Sequence, residues 1–176
     1  MRTYNRIRVE GGCYFFTVVL AQRNENHLLI KHIDDMRKSF KQVPQNHPYT
    51  LDAIVNMPDH LQCIWQLPKD EANFSTRWRW IKVHCSPLMN KGGIVNKSRQ
   101  KKGARGIWQR RVGEHLMGDN KDDAQHIEYS HYHPVNHGHV DHVVDGKDSS
   151  FHQCVDQGIY PSHWAAADAL INLGLK

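Results

Sequence analysis

The stretch Met57-Pro58-Asp59-His60-Leu61-Gln62-Cys63-Ile64 lies between two apolar runs, Leu51 to Met57 and Leu61 to Leu67. Its Pro-Asp pair is typical of a tight turn, so the two runs are predicted to form antiparallel strands joined there. Residues two apart in a strand project from the same face, which places His60 and Gln62 side by side while the leucine between them faces the core. The hairpin therefore presents two polar side chains that can hold one cation.

A tyrosine and a histidine near the other end of the chain can complete such a site. Tyr129 and His133 lie in the run Lys121 to His133, which has a helical pattern and is stopped by Pro134. Residues i and i+4 share one face of a helix, so both side chains can approach the same cation. A tyrosine beside a divalent metal suits attack on a phosphodiester, because the metal polarises the phosphoryl group and helps the phenol lose its proton. Tyr132 is the competing candidate on spacing alone.

The rest of the chain predicts a mixture of strands and helices. Aromatic residues in an amphipathic helix usually serve the core, so at least one of Trp78 and Trp80 is expected to be buried. The predicted elements are a strand at Cys13 to Ala21, a helix at His27 to Val43 stopped by Pro44, a helix at Phe74 to Met89 capped by Asn73 or Ser75, a short strand at Ile107 to Arg111 and a turn at His137-Gly138.

The chain is predicted to form one domain, 1–176, with a basic loop at about 91–106 and a C-terminal tail from about 165. Its 176 residues and 20.5 kDa suit a single hydrophobic core. The mean hydropathy is −0.68, no apolar run is long enough to span a bilayer, and the first residues lack the apolar stretch of a signal peptide. The four cysteines are scattered and form no CxxC pair, which argues against a disulfide framework. A cytoplasmic location without a membrane partner is expected.

Positive charge is concentrated in two stretches that lack acidic residues, Arg77 to Met89 and Lys97 to Arg111, in a chain of formal charge +5 and pI near 9.1. Such stretches can follow a phosphate backbone, with an aromatic side chain available for base stacking. A solvated surface loop is the alternative interpretation. The candidate DNA-contacting residues are Arg77, Lys82, Lys101, Lys102, Arg105, Trp108, Arg110 and Arg111.

Five blocks spread over the chain carry a resemblance to a known family. They are Gly11-Gly12-Cys13-Tyr14-Phe15-Phe16-Thr17-Val18, Met57-Pro58-Asp59-His60, Phe74-Ser75-Thr76-Arg77-Trp78, Gly106-Ile107-Trp108-Gln109-Arg110-Arg111 and Ser149-Ser150-Phe151-His152. In these blocks, which follow the family's order, the sequence resembles REP-associated tyrosine transposases, single-tyrosine members of the HUH endonuclease class. The resemblance runs from about Tyr4 to Trp164.

This resemblance implies an α+β fold of the HUH endonuclease type, with a ferredoxin-like antiparallel sheet and helices packed on it. It also implies that the protein nicks single-stranded DNA near hairpins of repetitive extragenic palindromes, leaving a 5′-phosphotyrosine and a free 3′-OH. In the family's pattern His60 is the first HUH histidine and Tyr129 is the nucleophile. Gln62 stands where the family has the second histidine, and His133 stands where it usually has asparagine. Two imidazoles and one amide oxygen are thus retained as ligands.

Mg²⁺ or Mn²⁺ is the expected cofactor, because hard divalent cations accept imidazole and amide ligands in a partly hydrated site. The expected partner is single-stranded DNA with hairpins, the expected location is the cytoplasm in association with the nucleoid, and the protein is expected to act as a monomer or a homodimer. Glu114 and His115 match a family block of Phe-Trp-Glu-His type without its aromatic residues.

Two alternative functions remain open. A catalytically impaired derivative of such a transposase can still bind DNA hairpins without cutting them. A zinc hydrolase is suggested by the histidine-rich stretch His126, His131, His133, His137, His139 and His142. Against the zinc hydrolase, His131 and His133 should diverge on a helix, and no acidic residue or cysteine completes a familiar ligand pattern.

Overall fold

The computed structural model describes residues 7–89, 97 and 105–165. The elements in chain order are β1 (Cys13–Val19), α1 (Leu28–Lys31), α2 (Ile33–Asn46), β2 (Thr50–Asn56), β3 (His60–Gln66), α3 (Phe74–Cys85), β4 (Gly113–Leu116), α4 (Asn120–Asn136) and α5 (Phe151–Asp156), with 3₁₀ helices at Ser86–Leu88 and Val143–Asp145. Among the described residues, no helix combines the length and the apolar content needed to cross a bilayer.

The strands that the structure describes form a four-stranded antiparallel sheet in the order β2-β3-β1-β4. The order of elements up to β4 alternates as strand, helix, two strands, helix and strand, which is the ferredoxin-like arrangement. The predicted hairpin is confirmed, since β2 and β3 pair directly on either side of the Pro58-Asp59 turn. The predicted α+β fold class is therefore confirmed.

One face of the sheet carries the main hydrophobic core. Alternate residues of β1, including Tyr14 and Phe16, are completely buried beneath α2 and α3. The ring of Trp65 stacks on that of Trp78, with centroids 4.6 Å apart, while Trp80 on the same helix stays 38% exposed. The prediction that at least one of these helix tryptophans serves the core is confirmed.

The opposite face of the sheet is covered by α4 and becomes polar toward one end. Phe15 and Ile64 pair across β1 and β3 and belong to a small apolar cluster with Ile127 of α4. Further along the same face, the register places His60 and Gln62 on alternate positions of β3. The polar end of this face, rather than its apolar end, therefore positions the candidate site.

Two predicted helix ends were wrong, because α2 and α4 both continue past a proline. Pro44 lacks the N–H that would bond to the carbonyl of Phe40, four residues earlier. The hydroxyl of Tyr49 donates to that carbonyl instead, at 3.1 Å. A side chain from the following loop thus takes the place of the missing backbone donor and lets α2 reach Asn46.

The predicted strand at Ile107 to Arg111 was wrong in position. This segment runs beside the end of β1, where Leu20 forms an isolated bridge with Trp108 and the amide of Gln109 donates to the carbonyl of Val19. The pairing then breaks, and β4 forms on the same edge of β1 at Gly113–Leu116. The pairing along this edge of β1 is therefore interrupted, and its longer part, β4, begins after the basic residues Arg110 and Arg111.

Candidate active site

The polar end of the sheet and α4 enclose a cleft of about 730 Å³. Both predicted strand ligands and both predicted helix residues line this cleft, together with several residues that the sequence did not single out for it. The lining residues are Phe15, Thr17, Val19, Arg23, His60, Gln62, Gly113, Glu114, His115, His126, Tyr129, His133, Asn136 and His137.

His60 is held in place by a carboxylate in the turn that precedes it. Its Nδ1 lies 2.7 Å from Asp59 Oδ1, and the guanidinium of Arg23 donates to Asp59 Oδ2 at 2.6 Å. Burial opposes ionisation of Asp59, but its hydrogen bonds with His60 and Arg23 lower its pKa below the ordinary value. The anionic carboxylate favours a proton on Nδ1 of His60, which leaves Nε2 as a lone pair facing the cleft.

His60, Gln62 and His133 converge although they come from different elements. Nε2 of His133 lies 2.8 Å from Nε2 of His60 and 3.4 Å from Nε2 of Gln62. Within the described part of the chain, Oε1 of Gln62 and Nδ1 of His133 have no hydrogen-bond partner. Rotation of the Gln62 amide by half a turn would exchange its oxygen and nitrogen, which brings the oxygen toward His133.

These three side chains fit a divalent cation. All three are at least 94% buried, and burial together with His137 and His60 lowers the pKa of His133 to about 3. The imidazole of His133 is therefore neutral at physiological pH and can donate a lone pair. The buried ring nitrogens of His60 and His133 face each other, so they need either a shared proton or a cation between them. The unpartnered amide oxygen of Gln62 can supply a third lone pair to such a cation.

Tyr129 lies beside His133 in the cleft, with ring centroids 5.6 Å apart. Its side chain is half-buried, and burial raises the pKa of its phenol. Tyr132 lines a different cavity, which includes Asp141 and Trp164. Of the two tyrosines that spacing left as candidates, Tyr129 is therefore the one that lines the same cleft as the candidate ligands.

His137 is a residue of the cleft that the sequence prediction did not assign to it. Its ring centroid lies 4.2 Å from that of His133 and 6.0 Å from that of His60. The available signal was its spacing, since Tyr129, His133 and His137 follow one another at intervals of four. The predicted turn at His137-Gly138 is confirmed, with Gly138 at φ +67°.

Arg77 does not face DNA, so its predicted phosphate contact was wrong. The residue is only 2% exposed, and its guanidinium donates to the carbonyls of Pro48 at 2.7 Å and Asn73 at 2.8 Å. Its Nη2 also lies 2.7 Å from Oε2 of Glu71. The predicted contact rested on the residues from Arg77 to Met89, which include no acid, whereas the acidic partner of Arg77, Glu71, lies before α3.

Trp108 is also unavailable for the base stacking predicted for it. It is 8% exposed, its indole N–H donates to Ser86 Oγ at 3.0 Å, and Nζ of Lys82 lies 5.5 Å from its ring centroid. Lys82 is half-buried, and Arg105 is half-buried with Nη2 donating to the carbonyl of Met89. Of these three predicted DNA contacts, Trp108 belongs to the hydrophobic core, and the side chains of Lys82 and Arg105 take part in the packing around it.

The remaining predicted basic contacts differ in how far they can be placed. Arg110 and Arg111 are exposed on the segment before β4. Lys101 and Lys102 lie outside the described residues. Exposed guanidinium groups remain candidates for phosphate contacts, because such contacts require accessible positive charge.

The histidine-rich stretch separates into groups with different surroundings. His131 is completely buried and its Nε2 lies 3.0 Å from Ser150 Oγ, on a different side of α4 from His133. The expected divergence of these two histidines is confirmed. One acidic residue does lie near the stretch: a carboxylate oxygen of Asp122 lies within 4.8 Å of ligand atoms of His126 and of His115, a histidine outside the stretch.

The fold and the composition of the cleft define a class. A ferredoxin-like antiparallel sheet, with helices packed on one face and a helix that carries a tyrosine against the polar end of the other, defines an α+β domain of the ferredoxin-like class.

Comparison with known proteins identifies the family. No protein-family model matches the chain. It is 41% identical over 165 residues to a Haemophilus influenzae protein assigned to the REP-associated tyrosine transposases, with 93% of each chain covered. It is 36% identical over 168 residues to the REP-associated tyrosine transposase of Escherichia coli, covering 94% of this chain and 92% of the relative. The chain belongs to the REP-associated tyrosine transposase family.

A solved structure supports the same relationship. The chain matches a REP-associated tyrosine transposase bound to a REP hairpin with a TM-score of 0.81 and 35% sequence identity, over 95% of this chain and 93% of that one. The resemblance found in the sequence blocks is therefore confirmed across the fold.

Proposed function

We propose that this protein nicks and rejoins single-stranded DNA beside REP-type hairpins, with Tyr129 as nucleophile and Mg²⁺ or Mn²⁺ as cofactor. The observation that carries the proposal is that Tyr129 lines the same cleft as His60, Gln62 and His133. The hairpin substrate is supported by the related transposase structure, which contains a REP hairpin.

In the proposed reaction, the phenolic oxygen of Tyr129 attacks the scissile phosphorus. A bond forms between the tyrosine oxygen and phosphorus, and the bond from phosphorus to the 3′ oxygen of the preceding nucleotide breaks. That oxygen takes up a proton and leaves as a 3′-hydroxyl. The 5′-phosphotyrosine conserves the phosphodiester bond energy, so attack by a 3′-hydroxyl can reverse the step and join strands.

The phenol of Tyr129 must also lose its proton when it attacks. Burial raises the pKa of Tyr129, so the phenol is protonated at neutral pH and gives up its proton during attack. His60, Gln62 and His133 would hold the cation through two imidazole nitrogens and an amide oxygen. When bound, the ion supplies positive charge to the phosphoryl oxygens and favours the phenolate.

Asp59 has a positioning role in this scheme. Its hydrogen bond to Nδ1 of His60 fixes the orientation of the ring and aims Nε2 at the cleft. Arg23 holds the other carboxylate oxygen, at 2.6 Å. The chain therefore supplies the preorganisation that a single exposed histidine would lack.

A nicking assay tests the proposal. The substrate is a REP-type hairpin with single-stranded flanks labelled at either end, incubated with Mn²⁺ and analysed on a denaturing gel. The wild type should give a cut strand and a covalent protein–DNA adduct. Tyr129→Phe should bind the hairpin but give no adduct, because only the attacking oxygen is removed.

Tyr132→Phe is the matched control, since Tyr132 lines another cavity and its variant should still form the adduct. Loss of the adduct in Tyr132→Phe alone would mean that the nucleophile is misassigned. Retarded but intact DNA with the wild type would favour a hairpin-binding protein without cleavage. Zinc-dependent cutting without an adduct would favour a hydrolase.

A further inference from the structure

A second group of side chains that could ligate a metal lies on the far side of β1 from His60, and two of its members, His115 and His126, line the cleft. His115 of β4 and Asp122 and His126 of α4 each offer one ligand atom, and these atoms lie within 4.8 Å of one another. Oδ2 of Asp122 is 3.4 Å from Nε2 of His115, and Oδ1 of Asp122 is 2.9 Å from Nδ1 of His126. β1 lies between β4 and β3 in the sheet, so this group is separate from the one around His60.

The carboxylate of this cluster is anionic and fixed. The amide of Gly118 donates to Oδ2 of Asp122 at 2.8 Å, where the chain turns from β4 into α4. This hydrogen bond lowers the pKa of Asp122; desolvation opposes the shift, and His126 and His115 add to it. Asp122 is therefore a charged ligand at neutral pH that the local backbone already holds in place.

His126 is the buried member of the cluster, and one of its ring nitrogens has no partner. The residue is only 5% exposed, its ring packs against Phe15 and stacks on His115 at 4.9 Å, and its Nε2 has no hydrogen-bond partner within the described residues. Its Nδ1 also lies 2.9 Å from the carbonyl of Asp122. In either neutral tautomer one ring nitrogen keeps an unshared lone pair, which is costly to bury without a partner.

We propose that His115, Asp122 and His126 bind a second divalent cation, with Zn²⁺ as the best match. Two imidazoles and one carboxylate are the ligands that Zn²⁺ uses in sites with an open coordination position. His115 is 53% exposed, so the open position faces the cleft and can take water or a phosphate oxygen. On α4, His126 lies about one turn before Tyr129 and Asp122 about two turns before it, whereas His133 lies about one turn after it. The cation-binding proposal does not depend on the proposed DNA chemistry.

Calorimetric titration of Zn²⁺ into the tag-free, metal-free full chain tests the site. The wild type should bind one ion at each of the two clusters. His115→Ala and Asp122→Asn should each weaken one binding event by at least about tenfold, the lower end of what even a second-shell change costs in metal affinity. His133→Ala should weaken the other event. His84→Ala is the control for surface histidines, because His84 is exposed on α3 across the sheet, and it should leave both events unchanged.

His115 is the decisive position, since its exposed side chain can be removed with little loss of packing, and circular dichroism of each variant checks that the fold is kept. Unchanged Zn²⁺ binding in both His115→Ala and Asp122→Asn would overturn the second site. If Zn²⁺ binding is weaker in these two variants but unchanged in His133→Ala, the result would support the second site and count against the cofactor of the proposed function. The same readout therefore separates failure of one proposal from failure of the other.

Discussion

His133 and His131 show how the surroundings of a side chain decide its chemistry. They are two positions apart on α4, yet Nε2 of His133 lies 2.8 Å from Nε2 of His60 while Nε2 of His131 lies 3.0 Å from Ser150 Oγ. Burial lowers the pKa of both imidazoles, so both are neutral. One of them can therefore serve as a ligand in the cleft, and the other holds the C-terminal segment.

The first prediction concerns the exchange of imidazole and amide between Gln62 and His133. In a His115→Ala background, which isolates the ion near His60, His133→Ala should lose at least about tenfold in Mn²⁺ affinity, because one of three ligands is removed. The double change Gln62→His with His133→Asn preserves two imidazoles and one amide, so it should keep both Mn²⁺ binding and hairpin cleavage. Calorimetry and the nicking assay measure the two properties.

His60→Ala serves as the positive control for loss, since its Nε2 is the ligand fixed by Asp59. Mn²⁺ affinity in His133→Ala equal to that of its parent would show that His133 is not a ligand. The replacement of the family's second histidine by Gln62 would then remove a ligand without compensation, which favours hairpin binding without cleavage.

The principal site residues could be predicted because each pair is local in sequence. His60 and Gln62 share a strand face by the period of two, and Tyr129 and His133 share a helix face by the spacing of four. Arg77 was misassigned partly because one of its contacts is not local: Pro48 lies 29 positions earlier in the sequence, before β2 and β3. The cluster of His115 with Asp122 and His126 was missed because it forms only when β4 turns back onto α4.

Helix α3 shows how one element depends on its anchors. Asn73 caps it by accepting from the amide of Thr76, which resolves the choice of cap left open by the sequence. Arg77 then ties the first turn of the helix to the carbonyl of Pro48, just before β2, and to Glu71. A residue that looked like a DNA contact instead fixes the position of α3 on the sheet.

The second prediction follows from this anchoring. Arg77→Ala removes a buried guanidinium, leaves the carbonyl of Pro48 without this donor and breaks the ion pair with Glu71, so it should lower the free energy of unfolding by about 3 kcal/mol. Arg79→Ala is the matched control, because Arg79 is exposed on the same helix, and it should change stability by less than about 0.5 kcal/mol. Urea unfolding followed by circular dichroism measures both.

Hairpin binding at several salt concentrations provides the opposing test for Arg77. The slope of affinity against salt should be the same for the wild type and Arg77→Ala under conditions where the variant is folded. If Arg77→Ala reduces this slope by about one unit and is as stable as Arg79→Ala, Arg77 does contact a phosphate.

The C-terminal part of the described chain completes the domain by attaching to the edge strand β2. Oγ of Ser150 accepts from the amide of Ile54 at 3.0 Å and lies beside His131, so one hydroxyl joins β2, α4 and the start of α5. Phe151 is fully buried, and its ring stacks on that of Tyr160 with centroids 5.8 Å apart. The Ser-Ser-Phe-His block that carried part of the family resemblance therefore has a structural role, and His131 lies beneath it.

The last prediction concerns the pH dependence of global stability. Burial lowers the pKa of His131 from 6.5 to about 4 in the folded protein. Between these values the unfolded chain binds the proton and the folded protein does not, so stability is retained above about pH 6.5 and falls as the pH drops toward 4. At about pH 5 this residue alone should cost about 2 kcal/mol relative to about pH 7.5. Urea unfolding at the two pH values measures the loss, to which His133 adds in the same direction.

His131→Gln isolates the contribution of His131, because glutamine does not titrate and its amide can still reach Ser150. Whatever this change costs at neutral pH, the difference between the two pH values should shrink by about 2 kcal/mol relative to the wild type. His84→Gln, at an exposed position of α3, should keep the full wild-type difference, since its side chain is solvated in both states. An equal pH dependence in all three proteins would mean that folding does not shift the pKa of His131, and that burial does not keep its imidazole neutral at about pH 5.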